Sequence, residues 1–214
     1  MKKLEFNDDA NWLNKRIEGV KKAYKIPDEV SGVAIDVGAN VGAFSIVNHL
    51  KFSRIISFEP AQNTFEKCVK NTKNYKNVEV HRYAVDEEGG KIAKLCSYID
   101  GNVSGNASTM KNDVYYDLKN YEEVPTISLE GIFKKFDLNI IDYLKIDCEG
   151  GEYEFLMNKD LSNVNAIGIE IHLHLGNEKV TNLINHIEKT HYSIHEIGDG
   201  VTSHFERTYK RKLI

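Results

Sequence analysis

Residues 34–42, which read Ala34-Ile-Asp-Val-Gly-Ala-Asn-Val-Gly42, decide the fold class. The apolar residues before Gly38 predict a buried strand, and helically spaced apolar residues after Gly42 predict a helix. Gly38 permits a tight turn, and Gly42 is expected to let the helix start close to the sheet. Free N–H groups at such a helix N-terminus can bind an anionic group. The segment therefore predicts a ligand site at the carboxyl end of a parallel sheet.

Strands and helices alternate around this segment. Short apolar runs predict further strands over 54–58, 78–85, 143–147 and 166–172, with helices between them. Near-continuous apolar strands separated by helices are typical of a parallel sheet covered on both faces. Residues 192–197 and 204–209, on either side of a glycine-containing turn, predict a C-terminal hairpin. The predicted fold is thus α/β, with a mostly parallel sheet and an antiparallel C-terminal hairpin.

The middle of the chain departs from this alternation. Residues 91–99 predict an edge strand, whereas residues 100–113 are polar, rich in Gly, Asn and Ser, and without periodicity. A loop of this length in a compact domain is either a functional lid or a mobile connection. With 214 residues the chain suits one domain. We expect an N-terminal helical segment over 1–29 and a ligand-binding domain over 30–214.

Composition excludes several classes of protein. A net charge of −4 lacks the positive field that general nucleic-acid or anionic-membrane binders need. No apolar run approaches the roughly 20 residues that span a bilayer, and the first residues turn polar too early for a signal peptide. The three cysteines form no CxxC, which argues against a zinc ribbon or a disulfide framework. We expect a reduced, cytoplasmic protein with no nucleic-acid partner and no membrane span.

Two cofactor classes use a glycine loop of this kind. Dinucleotides favour G-x-G-x-x-G, but Asn40 and Ala43 replace its second and third glycines, and a side chain at Asn40 would crowd a pyrophosphate. S-adenosylmethionine (SAM) has no pyrophosphate, so Asp36 could serve its ammonium group and the loop amides its carboxylate. Glu59 lies 21 residues after Gly38, where an acid can accept both ribose hydroxyls of either cofactor. Asn40 therefore favours SAM over NAD.

A second unusual segment reads Asp142-Tyr-Leu-Lys-Ile-Asp-Cys-Glu-Gly-Gly-Glu152. Strand alternation places Lys145 and Asp147 on one face, where a buried lysine needs Asp147 or an acid on a neighbouring strand as its partner. Asp147, Glu149 and Glu152 crowd carboxylates at the strand end, which raises at least one pKa unless a cation is present. Either the cluster is functional, or Lys145 merely neutralises the acids and Glu152 caps a helix.

The predicted strand over 166–172 carries Glu170 and His172 on one face, next to the Asp147 strand. Acids from the two strand ends, with an imidazole, could hold Mg²⁺ or Mn²⁺, or His172 could act as a general base. Enzymes that methylate amino groups of nucleic-acid bases or glutamine side chains usually have (Asn/Asp)-Pro-Pro-aromatic at this strand end, where this chain has Asp147-Cys-Glu-Gly150. None of the three prolines of this chain are adjacent, which favours a hydroxyl as the methyl acceptor.

Several segments occur in an order that indicates a family. They are Ile35-Asp-Val-Gly-Ala-Asn-Val-Gly42, Phe58-Glu-Pro60, Tyr83-Ala-Val-Asp86, Leu144-Lys-Ile-Asp-Cys-Glu-Gly-Gly-Glu152 and Ile169-Glu-Ile-His172. Over about residues 30–175 the chain resembles the FkbM family of SAM-dependent methyltransferases. Most class I methyltransferases share the glycine loop, but the Lys-Ile-Asp-x-Glu-Gly-x-Glu run is much more specific. The resemblance implies a single-domain, Rossmann-like class I fold with seven strands and, usually, O-methylation of sugar or polyketide hydroxyls.

The resemblance also implies the site residues. It assigns SAM contact to Asp36, Gly38, Asn40 and Gly42, ribose contact to Glu59, the adenine neighbourhood to Ala84, and a further cofactor contact to Asp147. The predicted catalytic residues at the transfer site are Lys145, Asp147, Glu149 and His172. By similarity to the more distant catechol-type O-methyltransferases, Asp147 and Glu170 would hold a metal, although Glu170 lacks the amide that follows in that pattern.

The leading hypothesis is a SAM-dependent O-methyltransferase that acts on a sugar or another small-molecule or glycan acceptor. A nicotinamide-dependent oxidoreductase is disfavoured by Asn40 and Ala43. A non-catalytic nucleoside-binding module on the same fold is disfavoured by the acidic cluster. The acceptor site is expected to lie between the N-terminal helix, the loop over 100–113 and the C-terminal hairpin.

Overall fold

A seven-stranded sheet forms the centre of the computed structural model, which describes residues 9–98, 116–198 and 204–212. Its strands are β1 (Val33–Val37), β2 (Arg54–Phe58), β3 (Val78–His81), β7 (Tyr143–Ile146), β8 (Ala166–His172), β9 (His191–Ile197) and β10 (His204–Arg211). They lie in the order β3-β2-β1-β7-β8-β10-β9. Neighbouring strands from β3 to β8 are parallel, and β10 runs antiparallel to both β8 and β9. The predicted fold class is confirmed.

Helices cover the two faces of this sheet. They are α1 (Asp9–Ala23), α2 (Ala43–Asn48), α3 (Gln62–Thr72), α4 (Leu129–Lys135), α5 (Glu152–Leu156) and α6 (Asn177–Glu188), with a short 3₁₀ helix over Leu173–Leu175. Alternate residues of β1 pack into different clusters: Ala34 with Tyr24 and Phe44, and Ile35 with residues of α4, α5 and α6. Both faces are therefore buried, as the continuous apolar strands predicted. Within the described residues, no helix is both long and apolar enough to cross a membrane.

A small second sheet lies beside the central one, in the order β4-β6-β5. Its strands are β4 (Ala84–Val85), β5 (Ile92–Tyr98) and β6 (Tyr116–Ile127). The expected single strand over 78–85 is therefore wrong, because the chain leaves the central sheet after His81. Arg82 explains the break, since its guanidinium binds the carbonyl oxygen of Pro60 and the carboxylate of Glu122 on β6. The predicted loop over 100–113 lies outside the described residues.

Candidate cofactor and acceptor site

The glycine loop turns sharply against the end of β7. Gly38 has φ +72°, and a Cβ there would lie 1.7 Å from the carbonyl oxygen of Asp147, so no other residue fits. Asn40 also adopts a left-handed conformation, with φ 51°. Gly42, at φ +88°, approaches side chains of α3, since a Cβ would lie 2.8 Å from Thr72 Cγ2. Gly42 thus allows α2 to pack closely on α3, and Phe44 of α2 packs with Ala34 and Ile55 of the sheet.

The N–H groups of the loop bind within the protein. Those of Gly38 and Ala39 donate to the carbonyl oxygen of Phe58, and that of Gly42 donates to Ala39. Asn40 N–H donates to Glu59 Oε2 at 2.8 Å. Val41 N–H donates to the Asn40 side-chain oxygen, also at 2.8 Å. The prediction that these loop amides bind the SAM carboxylate therefore does not fit the structure, because residues 38–42 already use them.

Glu59 is buried at the end of β2. Its two oxygens accept the N–H groups of Asn40 and Ala61, at 2.8 and 3.0 Å. Burial raises the pKa of Glu59 to about 7, although these two hydrogen bonds and the charge of Lys145 act to lower it. A carboxylate offers about four acceptor positions, so two remain for hydroxyl groups.

Asp36 and Lys145 form a buried ion pair beneath the loop. Lys145 Nζ lies 3.2 Å from Asp36 Oδ1 and 3.9 Å from Asp147 Oδ2. It also donates to the carbonyl oxygens of Val37 and Gly38. Burial opposes the charge, but the carboxylates of Asp36 and Asp147 raise the pKa of Lys145. Of the two partners that the sequence left open for Lys145, the acid on the neighbouring strand, Asp36, is therefore the nearer one.

This pairing corrects the role predicted for Asp36. Its side chain is fully buried, and Ser45 Oγ donates to its second oxygen at 3.2 Å. Asp36 lines neither cavity described below, so direct contact with the SAM ammonium group does not fit. Asp36 instead holds Lys145, which in turn holds the backbone of the glycine loop.

A second polar centre lies between the β7–α5 turn and the end of β8. Glu152 is fully buried, and its Oε1 lies 2.8 Å from the His172 N–H and 3.0 Å from His172 Nδ1. Its Oε2 accepts the Gly150 N–H at 2.8 Å. Glu152 therefore clamps the turn, where Glu149 has φ 54°, to the end of β8. Glu152 thus does more than cap a helix, which was one alternative considered from the sequence.

The other ring nitrogen of His172 faces two more carboxylates. His172 Nε2 lies 3.4 Å from Glu149 and 3.6 Å from Glu170. Burial alone would lower its pKa, but the carboxylates of Glu149 and Glu152 raise the pKa of His172 to about 11. The buried ring is therefore cationic at neutral pH and lines neither cavity. The predicted role of His172 as a direct general base does not fit this arrangement.

The described residues contain two groups whose donor atoms lie within 4.8 Å of one another. One is Glu170, His172 and His204, and the other is Asp147, Glu149 and His172. The two predicted metal ligands, Asp147 and Glu170, fall into different groups and share only His172. The donor set thus gives the predicted Mg²⁺ or Mn²⁺ site no support in the expected combination.

Two cavities open at the carboxyl ends of the strands. The loop cavity lies between the glycine loop, the ends of β2 and β7, and the small sheet; Glu59, Ala84 and Glu149 line it. The helix cavity, about 360 Å³ in volume, lies between α1 and the ends of β7, β8 and β10. The cavities share the walls formed by Arg16, Gly38, Asn40 and Asp147. The loop cavity, which is the predicted cofactor pocket, and the helix cavity thus meet at Asp147.

A comparison with protein families gives the assignment. The sequence model described as "Methyltransferase FkbM domain" matches residues 36–197, which include the glycine loop, Glu59 and the acidic cluster. The chain belongs to the FkbM methyltransferase family. Membership in the FkbM family makes it a SAM-dependent methyltransferase, as the sequence resemblance implied. A comparison with curated proteins finds no match.

Solved structures share the fold of this FkbM domain at low identity. TrmK of M. capricolum, solved in complex with S-adenosyl-homocysteine (SAH), is 14% identical with a TM-score of 0.50, over 92% of this chain and 67% of that one. The Methanococcus jannaschii fibrillarin pre-rRNA processing protein is 10% identical with a TM-score of 0.55, over 92% and 74%. An FkbM methyltransferase from Methylobacillus flagellatus KT is 14% identical with a TM-score of 0.49, over 86% of this chain but 44% of that one. The likenesses to TrmK and to the fibrillarin protein support the fold alone.

One residue at the centre of the site lies before the residues matched by the family model and was not predicted from the sequence. Arg16 on α1 lines both cavities, and its guanidinium carbon lies 5.7 Å from the ring centroid of Trp12. The helical periodicity of residues 13–24 predicted α1 itself. The sequence signal for Arg16 was weak, because α1 carries several basic residues and only the packing shows which one turns inward.

Proposed function

We propose that the protein transfers the methyl group of SAM to a hydroxyl of a sugar or another small-molecule or glycan acceptor. SAM would occupy the loop cavity, with its ribose hydroxyls on Glu59 and its adenine near Ala84. The acceptor would occupy the helix cavity. The observation that carries this proposal is the position of Asp147, which lines both cavities. Nucleophile and methyl donor would therefore meet beside one carboxylate.

SAM supplies a methyl group on a sulfonium, a good leaving group for in-line displacement. Alignment of the acceptor by the walls of the helix cavity supplies part of the rate enhancement. Asp147 would accept the hydroxyl proton as the oxygen–carbon bond forms, since a sugar hydroxyl is a weak acid and needs a base within hydrogen-bond reach. Lys145, whose Nζ lies 3.9 Å from Asp147 Oδ2, would hold this carboxylate in place. His172 would position Glu149 and Glu170 without touching the reacting atoms.

The Asp147→Asn variant tests this chemistry. We expect turnover to fall roughly 10²-fold, the usual range for removing a positioned base, while SAM affinity changes only a few-fold. Methyl transfer from labelled SAM to sugar and glycan acceptors would be measured with and without chelator. Glu206→Gln, which changes another carboxylate of the helix cavity, controls for charge alone. Near-normal turnover in Asp147→Asn would show that Asp147 is not the base.

The acceptor class and the metal dependence are tested by separate measurements. Labelling of RNA or of amines, and not of hydroxyl acceptors, would contradict the proposed substrate. Loss of activity with chelator and recovery with Mg²⁺ or Mn²⁺ would restore the predicted metal role. Calorimetry with SAM and NAD addresses the oxidoreductase alternative, because binding of NAD and not SAM would overturn the proposal itself.

A further inference from the structure

Helix α1 contributes one charged residue to the loop cavity. Arg16 lies beside the glycine loop, with Nη2 4.0 Å from Asp147 Oδ2, and its side chain is 38% exposed. A separation of 4.0 Å is an ion pair and not a hydrogen bond. The cation–π contact with Trp12, 5.7 Å from the guanidinium carbon to the ring centroid, holds the guanidinium without using its N–H groups. Arg16 therefore presents a planar set of donors to the cavity.

The loop cavity has a clear direction. Ala84, Val85 and Leu95 line it from the small sheet that follows β3, Glu59 follows β2, and Asp147, with Arg16 beside it, follows β7. The strand order β3-β2-β1-β7 therefore puts the apolar and the charged walls on opposite sides of Glu59. A SAM molecule with its ribose on Glu59 and its adenine at the apolar end would place its amino-acid tail at the charged end. That tail carries a carboxylate, which needs a cation or several N–H donors.

The usual donors for this carboxylate are already occupied. The N–H groups of residues 38–42 all bind within the protein, as described above. Lys145 is buried against Asp36 and does not line the loop cavity. Among the described residues that line this cavity, the charged ones are the acids Glu59, Asp147 and Glu149, and the single cation Arg16.

We propose that Arg16 binds the carboxylate of the methionyl tail of SAM. The inference rests on the proposed use of the loop cavity for SAM. The planar guanidinium matches a carboxylate with two parallel hydrogen bonds, which a lysine cannot form. Because α1 is also a wall of the helix cavity, binding of the cofactor tail fixes the helix that encloses the acceptor. Bound cofactor would therefore complete the wall of the helix cavity.

Two ligands that differ only in this tail make the test specific. SAH carries the carboxylate, whereas 5′-methylthioadenosine has the same adenosine and sulfur but no amino-acid tail. Calorimetry would measure both ligands with the wild type, Arg16→Gln and Arg16→Lys. Lys22→Gln serves as the matched control, because Lys22 is a basic residue of the same helix that lines neither cavity.

We expect Arg16→Gln to weaken SAH about 10- to 100-fold, the range for a hydrogen bond to a charged group, and to change methylthioadenosine less than about twofold. Arg16→Lys should recover part of the loss, and Lys22→Gln should match the wild type. Hydrogen exchange should show that SAH, and not methylthioadenosine, protects α1 in the wild type.

Unchanged SAH affinity in Arg16→Gln would overturn the proposal. An equal loss for both ligands would also overturn it, since Arg16 would then only support the fold of the site. Failure of the wild type to bind SAH at all would instead contradict the use of the loop cavity for SAM.

Discussion

Two buried glutamates follow strands of the same sheet, yet their surroundings differ. Glu59, after β2, accepts the backbone N–H groups of Asn40 and Ala61 and faces the loop cavity. Glu152, after β7, binds Gly150 and both the N–H and the ring of His172, which lies 20 residues away. It lines neither cavity. Glu59 thus retains capacity for a ligand, whereas Glu152 is consumed by the fold.

The difference separates two uses of one residue type. A carboxylate that binds a ligand needs unused acceptor positions and a path to solvent. A carboxylate that clamps two elements needs its acceptor positions filled, because an unpaired buried partner is costly. Substitutions at the two glutamates should therefore affect different measurements.

The largest effect is expected on stability, from Glu152→Ala. This change leaves the His172 cation and two backbone N–H groups without their partner, so the free energy of unfolding should fall by about 3–5 kcal/mol. Denaturant unfolding measures the loss. Glu154→Ala on the same helix is the control: Glu154 forms a half-exposed pair with Lys179, and its loss should cost under about 1 kcal/mol. Similar losses in both variants would show that Glu152 is not a clamp.

A smaller effect, on ligand affinity, is expected from Glu59→Ala. Removing the proposed ribose acceptor should weaken SAM by on the order of 2 kcal/mol, the scale for a hydrogen bond to a charged group. Calorimetry with SAM and SAH measures it. Unchanged affinity would show that Glu59 does not bind the cofactor, and Glu59 would then not differ from Glu152 in function.

The smallest effect is a pH dependence centred on Glu59. Its pKa of about 7 in the ligand-free protein exceeds its ordinary 4.5, because burial outweighs the hydrogen bonds from Asn40 and Ala61. Lys145 lowers the pKa and Asp36 raises it. Ribose hydroxyls donate to the ionised carboxylate, so SAH affinity should rise about tenfold in total between pH 5 and pH 7 and then level off.

The free energy of unfolding should fall as pH rises, whereas SAH affinity rises. The folded protein holds the Glu59 proton more tightly than the unfolded chain does, so this contribution is full below about pH 4.5 and is lost as pH rises through about 7. Calorimetry and unfolding from pH 5 to 8.5 measure both slopes. The Glu59→Gln variant should flatten the affinity slope and reduce the stability slope, because burial also raises the pKa of Glu170, to about 8, and that carboxyl adds a slope of the same sign. A wild type without either slope would contradict the raised pKa of Glu59.

The sequence predicted the parts of the molecule whose partners lie close along the chain. The β1–loop–α2 unit, the position of Glu59 and the C-terminal hairpin follow from local spacing and turn residues. Strand β6 was missed because its sheet is small and partly exposed. Its pattern is a short alternation of buried Val124 and Thr126 with exposed Glu123, interrupted by Pro125.

The details of the site depended on contacts between distant segments. Packing across the sheet decides which acid pairs with Lys145 and which N–H groups of the loop are occupied. It also decides which basic residue of α1 reaches the loop cavity. Period-two alternation identified Lys145 and Asp147 as neighbours, but the closer pairing with Asp36 requires the register of β1 against β7. Sequence spacing therefore located the site without assigning the partner of each charge.

The pairing of β1 with β7 also constrains how the chain folds during synthesis. Lys145 reaches Val37 across 108 residues, so the cation that neutralises Asp36 leaves the ribosome long after it. At about 5–20 residues per second, the delay is on the order of 10 s. A nascent chain that holds only the first three strands has a carboxylate with no counter-ion and a glycine loop with no strand to rest on. The cofactor pocket is thus among the last parts to mature.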